Sequence, residues 1–159
     1  MVETFQFEKD FVKTLRCIPM AVRLKLDRCG IKLNLKEWLA FSEEERKAFL
    51  EAPCEEKGEM ESYRRRLSEL LLRKCGKLPQ PLHVQARFSW DDAGQIPPEV
   101  SARSDSQGIQ ISLDQWRSLG ALERFALCKL SRPSHENKNF IPALKEFGIF
   151  RIPPECSNW

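Results

Sequence analysis

Residues 30–50 read GIKLNLKEWLAFSEEERKAFL, and residues 108–128 read GIQISLDQWRSLGALERFALC. A constant offset aligns the first glycines of the two stretches and aligns Trp38 with Trp116. Self-similarity at a fixed offset indicates two supersecondary units with the same packing solution. We therefore interpret Trp38 and Trp116 as equivalent core anchors, because large buried aromatic side chains usually anchor a core. A ligand-binding role for the two tryptophans is the alternative.

Proline, glycine and capping residues mark the ends of predicted helices. Pro19 and Gly30 bracket one apolar run, and Pro97 and Gly108 bracket its counterpart. Proline is favoured at a helix start and glycine just past a helix end, so we expect a helix between each pair. The sequence SEEE at residues 42–45 is a capping box, which predicts the start of another helix.

Apolar residues at helical spacing predict three further helices, near residues 5–15, 59–75 and 140–147. Each copy of the repeat alone would bury too little surface to be comfortably stable. We therefore predict a mainly α protein in which two degenerate helical repeats pack on one shared core. The predicted layout is a single domain over residues 1–159 with repeats at about 5–76 and 96–148, a seam at 77–95 and a tail at 149–159.

The composition, 42% hydrophobic and 31% charged, is typical of a soluble globular protein. No apolar run approaches the roughly 20 residues that span a bilayer, and no secretory signal is visible. The expected location is therefore cytoplasmic, without a membrane partner. A formal net charge of +3 is too small to argue for a nucleic-acid partner.

Six cysteines are spread along the chain without the C-x-x-C spacing of a zinc or redox motif. In a cytosolic protein such cysteines are more often reduced and buried than bonded in disulfides. The alternative is that Cys17, Cys29 and Cys54 converge in space and hold a metal ion or an iron–sulfur cluster.

The densest polar cluster lies directly before Phe140 and contains His135, Glu136, Asn137 and Asn139. An imidazole beside a carboxylate is capable of acid–base chemistry. However, the sequence contains no nucleophile elbow, phosphate-binding glycine loop or H-E-x-x-H helix. The structural interpretation is a loop whose side chains cap helices, and the functional interpretation is a partner-binding loop.

A second candidate surface is the basic run Arg64, Arg65 and Arg66 in the helix predicted over residues 59–75. Such a run is usually a solvated helix face. A docking surface for an acidic partner is the alternative interpretation.

Several motifs resemble the cyanobacterial family of nitrate-reductase-associated proteins. They are FQFE at 5–8, LRCIPMAVR at 15–23, LDRCGIKL at 26–33, RFAL at 124–127, KLSR at 129–132, HEN at 135–137, NF at 139–140 and PAL at 142–144. The resemblance extends from about Phe5 to Gly148.

This resemblance implies a non-catalytic accessory protein that binds assimilatory nitrate reductase and assists its maturation or stability. The enzyme, and not this chain, would carry the molybdenum cofactor and the iron–sulfur cluster. The expected contact surfaces are the loop from His135 to Phe140 first and the run from Arg64 to Arg66 second. Two alternatives stay open: a cysteine-ligated metal or cluster carrier for the same enzyme, and a nucleic-acid-binding regulator of nitrate assimilation.

Overall fold

The computed structural model describes residues 4–9, 15–81, 88–132 and 138–149. This part of the chain is mainly α-helical, as the sequence predicts. The chain divides into two compact units, Met1–Ala86 (unit 1) and Arg87–Trp159 (unit 2). The single shared core and the duplication of one helical design stay predictions.

Unit 1 is built from a short 3-10 helix, a set of α-helices and a two-stranded ribbon. In chain order these are the 3-10 helix Gln6–Glu8, α1 Met20–Cys29, β1 Ile31–Lys32, α2 Leu35–Ala40, α3 Glu43–Glu51, α4 Lys57–Cys75 and β2 Gln80–Pro81. The two strands pair antiparallel, with Ile31 opposite Pro81. The long helix α4 packs against both α1 and α2, and α1 also packs against α3.

The core of unit 1 is centred on Trp38, whose side chain is 0% exposed. Its indole Nε1 donates a hydrogen bond to the backbone carbonyl of Leu15 at 2.7 Å. The guanidinium Nη1 of Arg46 donates to the same carbonyl, also at 2.7 Å. One backbone oxygen therefore ties the segment before α1 to both α2 and α3.

The predicted capping box at Ser42 is confirmed, and a second box, which was not predicted, begins α2 at Asn34. The Ser42 N–H donates to Glu45 Oε1 at 2.7 Å, and the Glu45 N–H donates to Ser42 Oγ at 3.1 Å. Asn34 and Glu37 form the same reciprocal pair at the start of α2, at 2.9 and 2.8 Å. Gly30 ends α1 with a φ of 72°, in the left-handed region. These contacts satisfy backbone groups that a helix leaves unpaired.

Unit 2 contains a 3-10 helix followed by α-helices that are all shorter than α4. They are the 3-10 helix Ser89–Asp91, α5 Pro98–Ser106, α6 Leu113–Ser118, α7 Ala121–Leu130 and α8 Phe140–Glu146. Helix α7 packs against the 3-10 helix, α5 and α8. Because α7 carries several completely buried side chains, it forms the centre of this unit.

The predicted role of Trp116 as a core anchor is confirmed, since its side chain is also 0% exposed. Its indole Nε1 donates to the carbonyl of Asp92 at 2.9 Å. The Nε of Arg124 donates to the carbonyl of Trp90 at 2.7 Å. The N–H of Gly120 donates to Glu123 Oε1 at 2.9 Å. The adjacent residues Glu123 and Arg124 therefore both stabilise local structure.

Trp90 lies in the predicted seam, in a 3-10 turn in which the Asp91 N–H donates to the Phe88 carbonyl at 3.0 Å. Helix α4 begins at Lys57, before the expected start. Asn139 occupies the cap position of α8, but its side chain makes no capping hydrogen bond.

Two glycines should respond in opposite directions to alanine. Gly108 has a φ of 72° with nothing near its potential Cβ, so Gly108→Ala should destabilise the protein by about 1–2 kcal/mol through backbone strain alone. Gly58 lies inside α4 with equally open space, so Gly58→Ala should stabilise it by roughly 0.5 kcal/mol. Urea unfolding of both variants measures the two changes, and equal signs would contradict this account.

Candidate functional site

Two cysteines from different elements of unit 1 lie in contact. The Sγ atoms of Cys29 and Cys54 are 3.2 Å apart. Their side chains are 5% and 1% exposed, so both thiols are buried. We refer to Cys29 and Cys54 as the thiol pair.

The local sequence explains how the two thiols meet. Cys29 is the last residue of α1, which ends there because Gly30 adopts a left-handed conformation. Cys54 follows Pro53, which cannot continue α3 because it lacks a backbone N–H. The loop at residues 52–56 therefore leaves α3 and returns to the end of α1 before α4 begins.

Lys25 fixes this loop from the middle of α1. Its Nζ donates to the carbonyls of Leu50 and Ala52, both at 2.6 Å. These carbonyls lie at the C-terminal end of α3, where a cation is favourable. The Cys54 Sγ in turn lies 3.7 Å from the carbonyl of Lys25. The lysine thus fixes the backbone that carries one thiol beside the helix that carries the other.

Helix α4 closes the remaining side of the thiol pair. The Cys29 Sγ lies 3.5 Å from the carbonyl oxygen of Met60. The buried hydroxyl of Tyr63 donates to the carbonyl of Phe49 at 3.0 Å, which fixes the ring. The Lys25 Nζ lies 5.9 Å from the centre of the Tyr63 ring, within the range of a cation–π contact.

The pKa values of the two thiols are shifted in opposite directions. The hydrogen bond from Cys29 lowers the pKa of Cys54 below the ordinary thiol value, with help from the nearby charges of Lys25 and Arg28. The same hydrogen bond, together with burial, raises the pKa of Cys29. The first proton lost therefore comes from Cys54, while Cys29 keeps its proton and donates it to the neighbouring sulfur.

Basic side chains surround the thiol pair at the surface. The charges of Arg64 and Arg28 both act on Cys29 in favour of its thiolate. Arg64 is exposed on α4, as are Arg65 and Arg66 beside it. Chemically, this arrangement pairs a thiol of lowered pKa with a second sulfur in contact, and the charges of Lys25, Arg28 and Arg64 act on the pair.

Comparison with known protein families assigns the chain to a family. A family model described as conserved nitrate reductase-associated protein matches residues 4–147. The chain belongs to this family. Comparisons with curated proteins and with solved structures found no match.

Membership in the nitrate reductase-associated family confirms the resemblance stated from the sequence motifs. The family is described as associated with a reductase and not as a reductase itself. Among the described helices, none has both the length and the apolar composition needed to cross a bilayer.

The first contact surface predicted for this family member falls largely outside the described residues. His135, Glu136 and Asn137 lie there, and Asn139 is half-buried just before α8. Phe140 requires a correction, because it is 0% exposed. Its ring belongs to the core of unit 2 and is not available to a partner.

The predicted cysteine cluster is brought together only in part. Cys29 joins Cys54, but Cys17 precedes the N-terminal end of α1 while Cys29 closes its C-terminal end. A helix of this length spans about 15 Å, whereas two thiolates on one metal ion lie within about 4 Å of each other. In the described parts of the chain, no three His, Cys, Asp or Glu side chains form a group suited to a metal ion.

Sequence reasoning missed the roles of Lys25 and of the specific Cys29–Cys54 contact. A signal was present, since Lys25 and Cys29 are four residues apart and share one face of α1. That Cys54 is the residue in contact with them depends on the path of the loop from α3 back to α1. No local sequence pattern encodes this path.

Replacing Lys25 by methionine should destabilise unit 1 by about 1–3 kcal/mol, because the carbonyls of Leu50 and Ala52 lose their donor. Lys47→Met is the matched control, since Lys47 is an exposed lysine of α3. Its effect should stay within about 0.5 kcal/mol. Urea unfolding of both variants tests this, and equal effects would remove Lys25 from its structural role.

Proposed function

We propose that this chain binds the nitrate reductase polypeptide and assists its maturation or stability without catalysing a reaction. The observation that carries the proposal is the family match over residues 4–147. The molybdenum cofactor and the iron–sulfur cluster belong to the partner enzyme in this proposal, and the encounter takes place in the cytosol.

The proposed mechanism is differential binding. A helper that binds one form of an enzyme more tightly than another shifts the population toward the bound form. The shift is limited by the difference between the two affinities, and it requires no chemistry by the helper. We infer that the preferred form is the polypeptide that is competent to receive its cofactors.

The outward face of α4 supplies the contact surface that the described residues favour. Arg65 and Leu72 are seven residues apart, so they lie on the same side of the helix two turns apart. Leu72 is 51% exposed, although it is a large apolar side chain. Arginine is enriched at protein interfaces, and an exposed large apolar side chain gains free energy when a partner covers it.

We retain the polar loop of unit 2 as a second contact surface. His135, Glu136 and Asn137 are the residues proposed to touch the partner, with Asn139 at their edge. Phe140, the last residue of the predicted loop, is 0% exposed and is left out of the proposed contact. We further infer that the two units are degenerate repeats of one helical design, because each contains a buried tryptophan that donates to a backbone carbonyl.

Arg65→Glu should weaken binding to nitrate reductase by about tenfold or more, because it reverses the charge at the centre of the proposed surface. Lys47→Glu makes the same charge change on α3 and should leave the affinity within about twofold. Titration of purified enzyme with each variant, followed by calorimetry or light scattering, gives the two affinities.

Alanine at His135, Glu136 and Asn137 provides the comparison for the second surface. A loss of affinity with an unchanged melting temperature would assign the contact to the polar loop. Equal affinity of Arg65→Glu and the unmodified chain would remove α4 from the interface. Failure of the unmodified chain to bind the enzyme in any form would overturn the proposed function.

A further inference from the structure

We propose that Cys29 and Cys54 are a thiol–disulfide exchange pair that reacts with anionic low-molecular-weight disulfides, the class to which oxidised glutathione belongs. The proposal rests on the contact between two sulfurs from separate elements and on the cations around them. It is independent of nitrate reductase binding, since it concerns the chemistry of unit 1 alone.

The geometry requires only a small movement to form the bond. The sulfur atoms are 3.2 Å apart, and a disulfide bond is about 2.05 Å long, so they must approach by about 1.1 Å. Cys54 lies in the loop between α3 and α4 and not inside a helix. A small shift of that loop toward the end of α1 therefore closes the distance while both helices stay in place.

The surroundings define which sulfur attacks. Cys54 has the more acidic thiol, because Cys29 donates a hydrogen bond to it and because Lys25 and Arg28 are close. The thiolate is the form of cysteine that attacks a disulfide, so Cys54 is the attacking residue. Cys29 keeps its proton longer and serves as the resolving residue.

The surface charge defines the preferred disulfide. Lys25, Arg28 and Arg64 all place positive charge near the thiol pair, while Glu55 and Glu59 partly oppose it. Arg64 is exposed on α4 and is therefore accessible to a carboxylate of an approaching reagent. This arrangement favours a disulfide that carries negative charge over a neutral one.

The reaction consists of two balanced exchanges. The Cys54 thiolate attacks one sulfur of the reagent, a bond forms between them, and the reagent disulfide breaks to release one thiolate. Cys29 then loses its proton and attacks the Cys54 sulfur, forming the Cys29–Cys54 bond and releasing the second thiolate. Two electrons pass from the protein to the reagent, and the two protons end on the two released thiols.

Access to Cys54 requires local opening of its loop, because its side chain is 1% exposed. Its neighbours in sequence, Pro53 and Glu55, are exposed, so the loop that carries Cys54 lies at the surface of unit 1. Opening of such a surface loop takes far less free energy than global unfolding. The exchange should accordingly be slower than that of an exposed thiol but should proceed in the folded protein.

The test uses the full chain with Cys17, Cys75 and Cys156 replaced by serine, which leaves the thiol pair and Cys128. Folded protein is incubated with oxidised glutathione, then unfolded and alkylated, and its intact mass is measured by mass spectrometry. The expected result is the loss of two alkylatable thiols, with peptide mapping that joins Cys29 to Cys54. Cys128 is equally buried and has a pKa raised to about 12 by burial, so it should stay reduced.

Single cysteine substitutions should trap the mixed disulfide that forms between the protein and glutathione. In Cys29→Ser the attacking thiol has no resolving partner, so one glutathione should remain attached to Cys54. In Cys54→Ser the adduct on Cys29 should form at least about tenfold more slowly, because Cys29 lacks the depressed pKa. A pair that stays fully reduced under all of these conditions would overturn the proposal, as would modification of Cys128 at the same rate.

A charge comparison tests the reagent class. Arg64→Gln should slow the reaction with oxidised glutathione by about threefold or more and leave the reaction with neutral hydroxyethyl disulfide unchanged. Arg117→Gln makes the same charge change at an exposed position of α6 and is the matched control, which should change neither rate. Equal slowing with both reagents would refute the proposed preference for anions, and so would equal effects of the two arginine variants.

Discussion

The carbonyl oxygen of Leu15 organises unit 1, because it accepts hydrogen bonds from both the Trp38 indole and the Arg46 guanidinium. The tryptophan is completely buried, so its N–H must find a partner inside the protein. The carbonyl meets that need and fixes where the segment before α1 lies against α2 and α3. Unit 2 solves the same problem by a related route, with Trp116 donating to Asp92 and Arg124 donating to Trp90.

The candidate site follows from this arrangement. Once the start of α1 is fixed, Lys25 in its middle and Cys29 at its C-terminal end lie beside the loop that follows α3. Lys25 binds the last carbonyls of α3, and Cys54 comes to rest against Cys29. Packing of α4 against α1 then covers the thiol pair and places Arg64 above it. The same interactions that stabilise unit 1 therefore bring its two buried thiols into contact.

Local signals in the sequence predicted the parts of the fold that depend on local chemistry. The capping box at Ser42, the left-handed glycine at position 30 and the buried tryptophans were predictable, because each is defined by a few neighbouring residues. The thiol pair was not, since it depends on the return path of the loop after Pro53. Phe140 was assigned both to the apolar face of a helix and to the partner-binding loop, and its burial agrees with the first assignment.

The central claim is that this member of the nitrate reductase-associated family acts on the enzyme by preferring one of its forms. The most direct measurement is capture of purified nitrate reductase by the immobilised protein, with cofactor-free and cofactor-loaded enzyme compared at equal concentration. We expect the immobilised protein to capture the cofactor-free polypeptide preferentially. Equal capture of both forms would contradict differential binding, and capture of neither would contradict direct association.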